Sequence, residues 1–337
     1  MKVAIIGATG AVGREMISEL EDSSVQNIEV GMFASPRSEG MSVQFRGEKH
    51  TVKAFSLEAM KGYDYALMSA GGGFSKTHSK EISAQGTVVI DNSSAWRMDP
   101  EIPLVVPEVN AHVLKEGKLS IIANPNCSTI QMMVNLAPLE REFGLDMVQV
   151  STYQSVSGTG QKGIGELAEQ VKDQFNMKEL SPNVYPQAIA FNCLPAIGPV
   201  DDEGHAEEEI KMVKETKKIL ENDSIDVLAT TVRVPVFSCH SESILVKLKK
   251  AVSREEVVAC LTGKDGLTMV ASDNQSEYPT PLNVSGKKET FVARVRLPYG
   301  VDASGKSEWV QMWNVADNLK KGAATNAVQI LEKIING

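Results

Sequence analysis

Cysteine is scarce in this chain of 337 residues: Cys127, Cys193, Cys239 and Cys260 are far too few for a disulfide framework. None forms a CxxC pair, and the five histidines show neither HxxxH nor HExxH spacing, which argues against a zinc site. Long apolar runs are missing too. No stretch approaches the roughly 18 uninterrupted apolar residues of a membrane span, and the apolar run in "MKVAIIGATG" is too short for a signal peptide. A basic excess is also lacking. The formal net charge of −9 speaks against a general nucleic-acid surface, although a local cationic pocket for an anionic substrate stays open. Internal repeats and low-complexity segments are absent. These absences fit a protein of the reducing cytoplasm with no membrane and no nucleic-acid partner. Its 42% hydrophobic and 23% charged residues are ordinary for a globular chain, and its length suffices for two domains.

The first half alternates short apolar runs with helical patterns. "KVAIIG" reads as a buried strand, and "AVGREMISELED" as a helix with Val12, Met16, Ile17 and Leu20 on one face. "NIEVGMFAS", "YDYALMSAGG" and "TVVIDNSS" are further strands. Strands separated by helices predict a parallel, doubly wound sheet. Past Cys127 the texture changes to β-branched runs, "VQVSTYQSVSG", "IDVLATTVRVPV", "SESILVKLKK" and "ETFVARVRLP", with amphipathic helices such as "EEEIKMVKETKKILEN" between them. That mixture predicts an α+β domain on a mixed or mostly antiparallel sheet. The expected fold class is therefore α/β. Residues 1–126 form a dinucleotide-type domain completed by a C-terminal helix at 316–337, and residues 127–315 form a second domain. The Gly/Ser-rich "SVSGTGQKGIG" reads as a mobile loop.

"GATGAVG" places Gly7, Gly10 and Gly13 after the first strand and at the start of a helix. Glycines let the backbone approach a pyrophosphate, whose charge a helix N-terminus favours; the plain alternative is a tight structural turn. An NAD enzyme usually carries an acidic residue at the end of the next strand. Here "FASPRSEG" offers Ser35, Arg37 and Ser38, while Glu29 lies back inside the strand. A guanidinium and two hydroxyls suit a 2′-phosphate, which favours NADP over NAD. An exposed Arg in a polar loop, with Glu39 beside it, is the competing reading.

In "ANPNCSTIQMMVNLAPLERE", Pro125 forces Asn124 toward extended backbone, and Asn126, Cys127 and Ser128 suit a cap or first turn. The run from Thr129 to Glu142 keeps a helical period. The sulfur then sits near a helix start, which favours a thiolate and offers N–H groups to an oxyanion. Cys127 is either a nucleophile or a buried filler on these grounds alone. A nucleophile needs a base, and His240 in "VRVPVFSCHSES" is best placed by context, whereas His50, His78, His112 and His205 have surface-like surroundings. Cysteine, histidine and a nicotinamide together suggest thiolate addition to an aldehyde, hydride loss and a thioester.

These residues bring a family into view. "GATGAVG", "SAGG", "DNSSAWRMD", "VPEVN", "NPNCST", "STYQSVSG", "ETKKI", "VRVPVFSCHSE", "PTPLNV" and "DNLKKGAATNAVQI" run in order over nearly the whole chain. Together they resemble the aspartate-semialdehyde dehydrogenases. The resemblance implies a Rossmann-like NADP-binding domain and a catalytic and dimerisation domain. It also implies NADP-dependent interconversion of L-aspartate 4-semialdehyde plus phosphate and L-4-aspartyl phosphate, feeding lysine, threonine and methionine. It further implies Cys127 as nucleophile, His240 as acid/base and Gln154 as the residue orienting the acyl intermediate. Arg233 would bind the substrate carboxylate, Glu208 the ammonium, and Lys211, Arg97 and Asn126 the phosphate. Which of Glu207, Glu208 and Glu209 takes the role stays open, and Glu208–Lys211 reads equally as a surface ion pair. By the same resemblance the cofactor contacts are Gly7, Thr9, Gly10, Ala11, Val12, Gly13, Ser35, Arg37, Ser38, Ser69, Ala70, Gly71, Ser157, Gly158 and Asn318, and the protein is a homodimer or homotetramer. Two places depart from the pattern: Phe74 follows "SAGGG", and "RLPYGVDASGKSEWV" differs from the shorter connections of related sequences. The competing functions are an N-acetyl-glutamyl-phosphate reductase and an inactive NADP-binding regulator, the latter disfavoured by Cys127, Gln154 and His240 occurring together.

Overall fold

The computed structural model describes residues 1–115, 119–301 and 303–337. The divergent connection at 298–308 contains position 302, which lies outside the described residues. The chain divides into two compact units, Met1–Asn126 with Gly322–Gly337, and Cys127–Lys321.

The first unit contains β1 (Lys2–Ile6), β2 (Glu29–Ala34), β3 (Ser42–Phe45), β4 (Glu48–Thr51), β5 (Lys53–Ala54), β6 (Tyr65–Met68), β7 (Val88–Asp91) and β8 (Ile121–Ala123). Its helices are α1 (Ala11–Glu21), α2 (Gly72–Ala84), the single turn α3 (Pro107–Asn110) and, from the chain's end, α9 (Thr325–Asn336). Six strands pair in the order β5-β2-β1-β6-β7-β8, all parallel, with β3 and β4 as a separate hairpin. β1 is buried from Val3 to Ile6, and Ala66, Leu67 and Met68 of β6 likewise. Such continuous apolar runs, rather than alternating ones, are what a parallel sheet covered on both faces requires. Met16, Ile17 and Leu20 of α1 share one core with Ala327, Val328 and Leu331 of α9. The strand order reverses between β1 and β6, and at such a switch point the carboxyl ends of the strands leave a crevice for a ligand. Gly7 opens onto it. Its φ of 92° is left-handed, and a Cβ there would lie 2.7 Å from Ser69 O.

The second unit contains β9 (Leu145–Gln154), β10 (Asp226–Arg233), β11 (His240–Val252), β12 (Leu267–Val270), β13 (Thr290–Arg296) and β14 (Ser307–Ala316). They form one mixed sheet, β10-β9-β11-β14-β13-β12, in which β9/β10 and β12/β13 are parallel and the other pairings antiparallel. The helices are α4 (Cys127–Phe143), α5 (Gln161–Phe175), α6 (Glu207–Leu220), α7 (Arg254–Leu261) and the short α8 (Pro281–Val284). α4 is buried all the way from Ser128 to Ala137 and packs against β9, β11, β13 and β14. The even-numbered residues from Val148 to Gln154 and from His240 to Leu248 face it; on the other face Tyr153 pairs its ring with Trp313 at 5.7 Å, and Leu228 is exposed. "SVSGTGQKGIG", expected as a mobile loop, is instead a tight turn with Val156 and Ser157 buried, followed directly by α5. Inward hydrogen bonds from Ser155 and Ser157 hydroxyls to Asn318 Oδ1, at 3.1 and 3.0 Å, account for the difference. No helix among the described residues is long and apolar enough to cross a membrane.

The contact that seats α1 on β1 is testable. A Cβ on Gly13 would lie 2.0 Å from the Gly7 carbonyl oxygen. Gly13→Ala is therefore expected to push the helix off the strand and destabilise by about 1–3 kcal/mol, read as a lower urea midpoint. An unchanged midpoint would contradict this packing.

Candidate active site

Sheet register assembles the site in the second unit. Arg233, the last residue of β10, is the Cα partner of Gln154, the last of β9. The next strand pairs Ser241 with Tyr153, so His240, the first residue of β11, comes opposite Gln154 on its other side. Strand partners project to the same face. Arg233, Gln154 and His240 thus line up across three strand ends, all buried, on the face that α4 covers. Cys127 is the first residue of α4 and is only partly buried. Gln131, one turn further along α4, donates from Nε2 to the His240 carbonyl at 3.3 Å, joining the helix that begins with the thiol to the strand that begins with the imidazole.

The other thiols lack this setting. Cys239 is buried, and burial pushes its pKa up to about 12. Cys260 donates to Pro138 O at 3.5 Å and is also raised by burial, while Cys193 is exposed.

The imidazole is held by backbone. Ser155 N–H donates to His240 Nδ1 at 3.1 Å, and the Ser155 hydroxyl lies 3.2 Å from the same nitrogen. A nitrogen that accepts an amide proton carries no proton of its own, so the neutral ring keeps its hydrogen on Nε2. Nε2 has no partner among the described residues. Burial first, and the Arg233 charge second, push His240 down to about 3. The ring is accordingly a neutral Nε2–H donor. Gly158 is needed beside it, since a Cβ there would come 3.3 Å from Nε2 and 2.9 Å from Arg233 Nη1. Arg233 itself donates to Ser155 O at 2.6 Å.

Of the three consecutive acids opening α6, one reaches this cluster. Glu208 is buried, and its Oε1 accepts from Gln154 Nε2 at 3.4 Å. Glu209 is occupied by the Ala206 and Thr231 backbone N–H groups, both at 2.9 Å, and Glu207 is exposed. Lys211 bridges to Glu207 at 2.9 Å and to Glu208 at 3.6 Å. Ser157 and Asn318 lie near the imidazole, but Asn318 Oδ1 is occupied by the hydroxyls of Ser155 and Ser157 and by Cys239 N–H at 3.0 Å. Sequence reasoning missed Ser155, because nothing local marks an amide whose partner is 85 residues away.

In the first unit the glycine loop carries its own fit for a dinucleotide. α1 has Gly10 at its N-cap and no side-chain cap, leaving the N-terminus formed by Ala11, Val12 and Gly13 to an anion. The buried Ser69 hydroxyl, near Gly7 at the end of β6, has no partner among the described residues. Around Gly71 and Gly73, beyond Ala70, a Cβ would meet nothing within 4 Å. Thr9 and Ser38 hydroxyls pair at 3.2 Å, linking this loop to the turn of Ser35, Arg37 and Ser38. Glu29 lies at the far end of β2, paired with Lys2 at 3.1 Å. Arg37 and Glu39 are both largely exposed, and neither forms an ion pair among the described residues. Phe74 packs edge-on against Phe55 at 4.7 Å and against His78 at 4.6 Å, leaving the glycines before it clear. Arg97 is buried and donates to Asn124 O and Asn92 O, both at 2.9 Å; Asn126 is buried two residues past Asn124. Among the described residues no group of three or more His, Cys, Asp or Glu is placed to hold a metal.

Comparison with known proteins agrees with this fold. Residues 2–117 match the family model for the semialdehyde dehydrogenase NAD-binding domain, and residues 136–321 that for the semialdehyde dehydrogenase dimerisation domain. The aspartate-semialdehyde dehydrogenase of Aquifex aeolicus is 47% identical, over 99% of this chain and 98% of its own. That of Bacillus subtilis is 41% identical, over 99% and 97%. The crystal structure of aspartate semialdehyde dehydrogenase II from Vibrio cholerae, complexed with ASA, superposes with a TM-score of 0.94 at 42% identity, covering 99% of this chain and 98% of that one. With both domain models matched in order and relatives aligned end to end, the chain belongs to the aspartate-semialdehyde dehydrogenase family.

Proposed function

We propose that Cys127 carries the interconversion of L-aspartate 4-semialdehyde plus phosphate and L-4-aspartyl phosphate, the family's step in aspartate-family amino-acid biosynthesis, with NADP as cofactor. The observation that carries this reading is the opposite pair of charges beside Gln154. Glu208 meets its amide, and Arg233 is its register partner. A free α-amino acid brings one ammonium and one carboxylate, which such a pair recognises together; Arg233 offers the fork that Lys cannot. An N-acetylated substrate has no ammonium for Glu208, which disfavours the N-acetyl-glutamyl-phosphate reductase.

In the biosynthetic direction the Cys127 thiolate adds to the acyl carbon, the bond to phosphate breaks, and a thioester forms on the sulfur. Lys211, Arg97 and Asn126 are assigned to the phosphate. A nicotinamide held at this site would supply a hydride in this direction and accept one in the other. As the acyl carbon becomes tetrahedral, its oxyanion takes a hydrogen bond from His240 Nε2–H, while Gln154 orients the acyl group. Re-formation of the carbonyl expels the thiolate and leaves the aldehyde. His240, expected as the acid/base, is proposed instead as a donor in both directions, because the Ser155 N–H on Nδ1 leaves the ring's proton on Nε2. Gly7, Thr9, Gly10, Ala11, Val12, Gly13, Ser69, Ala70 and Gly71 are assigned to the dinucleotide, Ser35, Arg37 and Ser38 to a 2′-phosphate, and Ser157, Gly158 and Asn318 to the nicotinamide end. A homodimer or homotetramer in the cytoplasm, where a working thiol stays reduced, completes the reading.

The purified protein is expected to reduce NADP with L-aspartate 4-semialdehyde only when phosphate is present, and Cys127→Ala to lower turnover by on the order of 10⁴-fold. Turnover with the N-acetyl-glutamyl semialdehyde instead would move the assignment to the runner-up. Arg37→Ala is expected to raise KM for NADP by about 10- to 100-fold, with little change for NAD. Equal losses for both cofactors would remove Arg37 from the 2′-phosphate. The buried imidazole also has a pH signature. The unfolded chain binds a proton below about pH 6.5 that the folded ring refuses until about 3, so stability is lost as pH falls through that window. His240→Gln is expected to flatten this slope in urea titrations; an unchanged slope would mean the ring is protonated when folded.

A further inference from the structure

The reaction gives Glu242, a fully buried acid of the second unit, no task. Glu242 lies two residues past His240 on β11, fully buried on the same sheet face under α4. Its neighbours across the sheet are Thr152 of β9 and Asn314 of β14, both buried, and Gln131 acts on it from α4. Asn314 Nδ2 donates to Glu242 Oε2 at 2.9 Å and to the Gln131 carbonyl at 3.2 Å. Gln131 Nε2 donates to the His240 carbonyl. Three acceptors in this cluster have no donor among the described residues: Gln131 Oε1, Glu242 Oε1 and Asn314 Oδ1. Neither α4, β9 nor β14 brings a charged group to bear on Glu242; only the two amides do, and burial outweighs them in raising its pKa. A neutral carboxyl has one O–H to give; Asn314 already meets Glu242 through its Nδ2 on Oε2, so the proton on Oε1 goes to Gln131 Oε1.

We propose that Glu242 is a positioning residue: as a neutral acid it closes a hydrogen-bond chain, from Asn314 to Glu242 to Gln131 to the His240 carbonyl, that fixes the imidazole's strand to the helix beginning at Cys127. The proposal rests on Cys127 and His240 being the working pair. Each link donates in the same direction, so the chain is polarised and cooperative. Ionisation of Glu242 would remove the O–H that joins Gln131 to it and leave a charge buried without a cation. A backbone carbonyl held from one side, with Ser155 N–H on the ring from the other, leaves the imidazole little freedom to shift against the thiol.

Two substitutions in the full-length protein test this. Glu242→Gln keeps the shape and supplies an amide N–H in place of the O–H; it is expected to hold kcat within about threefold. Gln131→Met cuts the chain and is expected to lower kcat by about tenfold or more with little change in KM. The independent readout is stability against pH. The folded protein keeps a proton that the unfolded chain loses above about pH 4.5, so the parent should lose stability relative to Glu242→Gln as pH rises from there. Parallel urea midpoints for the two proteins from about pH 5 to about pH 9 would show Glu242 ionised and overturn the proposal, whether or not Gln131→Met folds. A Gln131→Met enzyme with parental kcat would also overturn it. The stability comparison does not depend on which residues catalyse, so activity surviving in Cys127→Ala would sink the functional reading alone.

Discussion

The register of three adjacent strands governs everything else in the second unit. β9 runs parallel to β10 and antiparallel to β11, so only one end of each can meet, and there Arg233, Gln154 and His240 stand side by side. A slip of one residue in β9 would turn Gln154 to the opposite face, away from α4, and Tyr153 into its place. The same register decides protonation. It sets the imidazole in a dry interior next to a guanidinium, where an imidazolium is doubly disfavoured.

Low polarity then works in two directions. It keeps His240 neutral, and it makes each retained charge strong toward whatever enters. Arg233 and Glu208 are both buried, which is expensive for ions unless they are paired. Arg233 leans on the Ser155 carbonyl and Glu208 on the Gln154 amide and Lys211. In the proposed reading the substrate's own ammonium and carboxylate add to these pairings, so a chain of net charge −9 can still bind a dianionic acyl phosphate at one place.

What could be read from the sequence was what local pattern encodes. The glycines at 7, 10 and 13 announce themselves because only a turn into a helix uses that spacing beside a strand. The thiol at a helix start was visible because Pro125 and the apolar run after it bracket the position. The strand texture separated the parallel sheet from the mixed one. The site as an assembly was not visible locally; Gln154, Arg233, Glu208 and Lys211 entered through resemblance. Choosing among Glu207, Glu208 and Glu209 needed the structure, since Glu209 is occupied by two backbone amides, one of them on a strand 22 residues away. The turn at Ser155–Gly160 was misread as mobile because its glycines look permissive, whereas Gly158 serves close packing under Arg233 and His240 and Gly160 supplies a left-handed φ of 77°.

Cys239 shows how little of the imidazole's placement rests on charge. Its φ of 69° is left-handed, a conformation that costs an L-residue roughly 1–2 kcal/mol. The strain persists because its N–H is held by Asn318 Oδ1, the same oxygen that receives the Ser155 and Ser157 hydroxyls. One amide oxygen therefore ties the entry of the histidine's strand to the turn whose N–H holds the ring. Neutral hydrogen bonds are short-ranged and insensitive to salt, and they do not change when a charged substrate arrives or phosphate leaves. In the proposed reading the site binds and releases two anions in each cycle, and it gains from a frame of this kind. Its ionic groups are then free to answer the substrate while the donor at Nε2 stays where the proposed oxyanion would form.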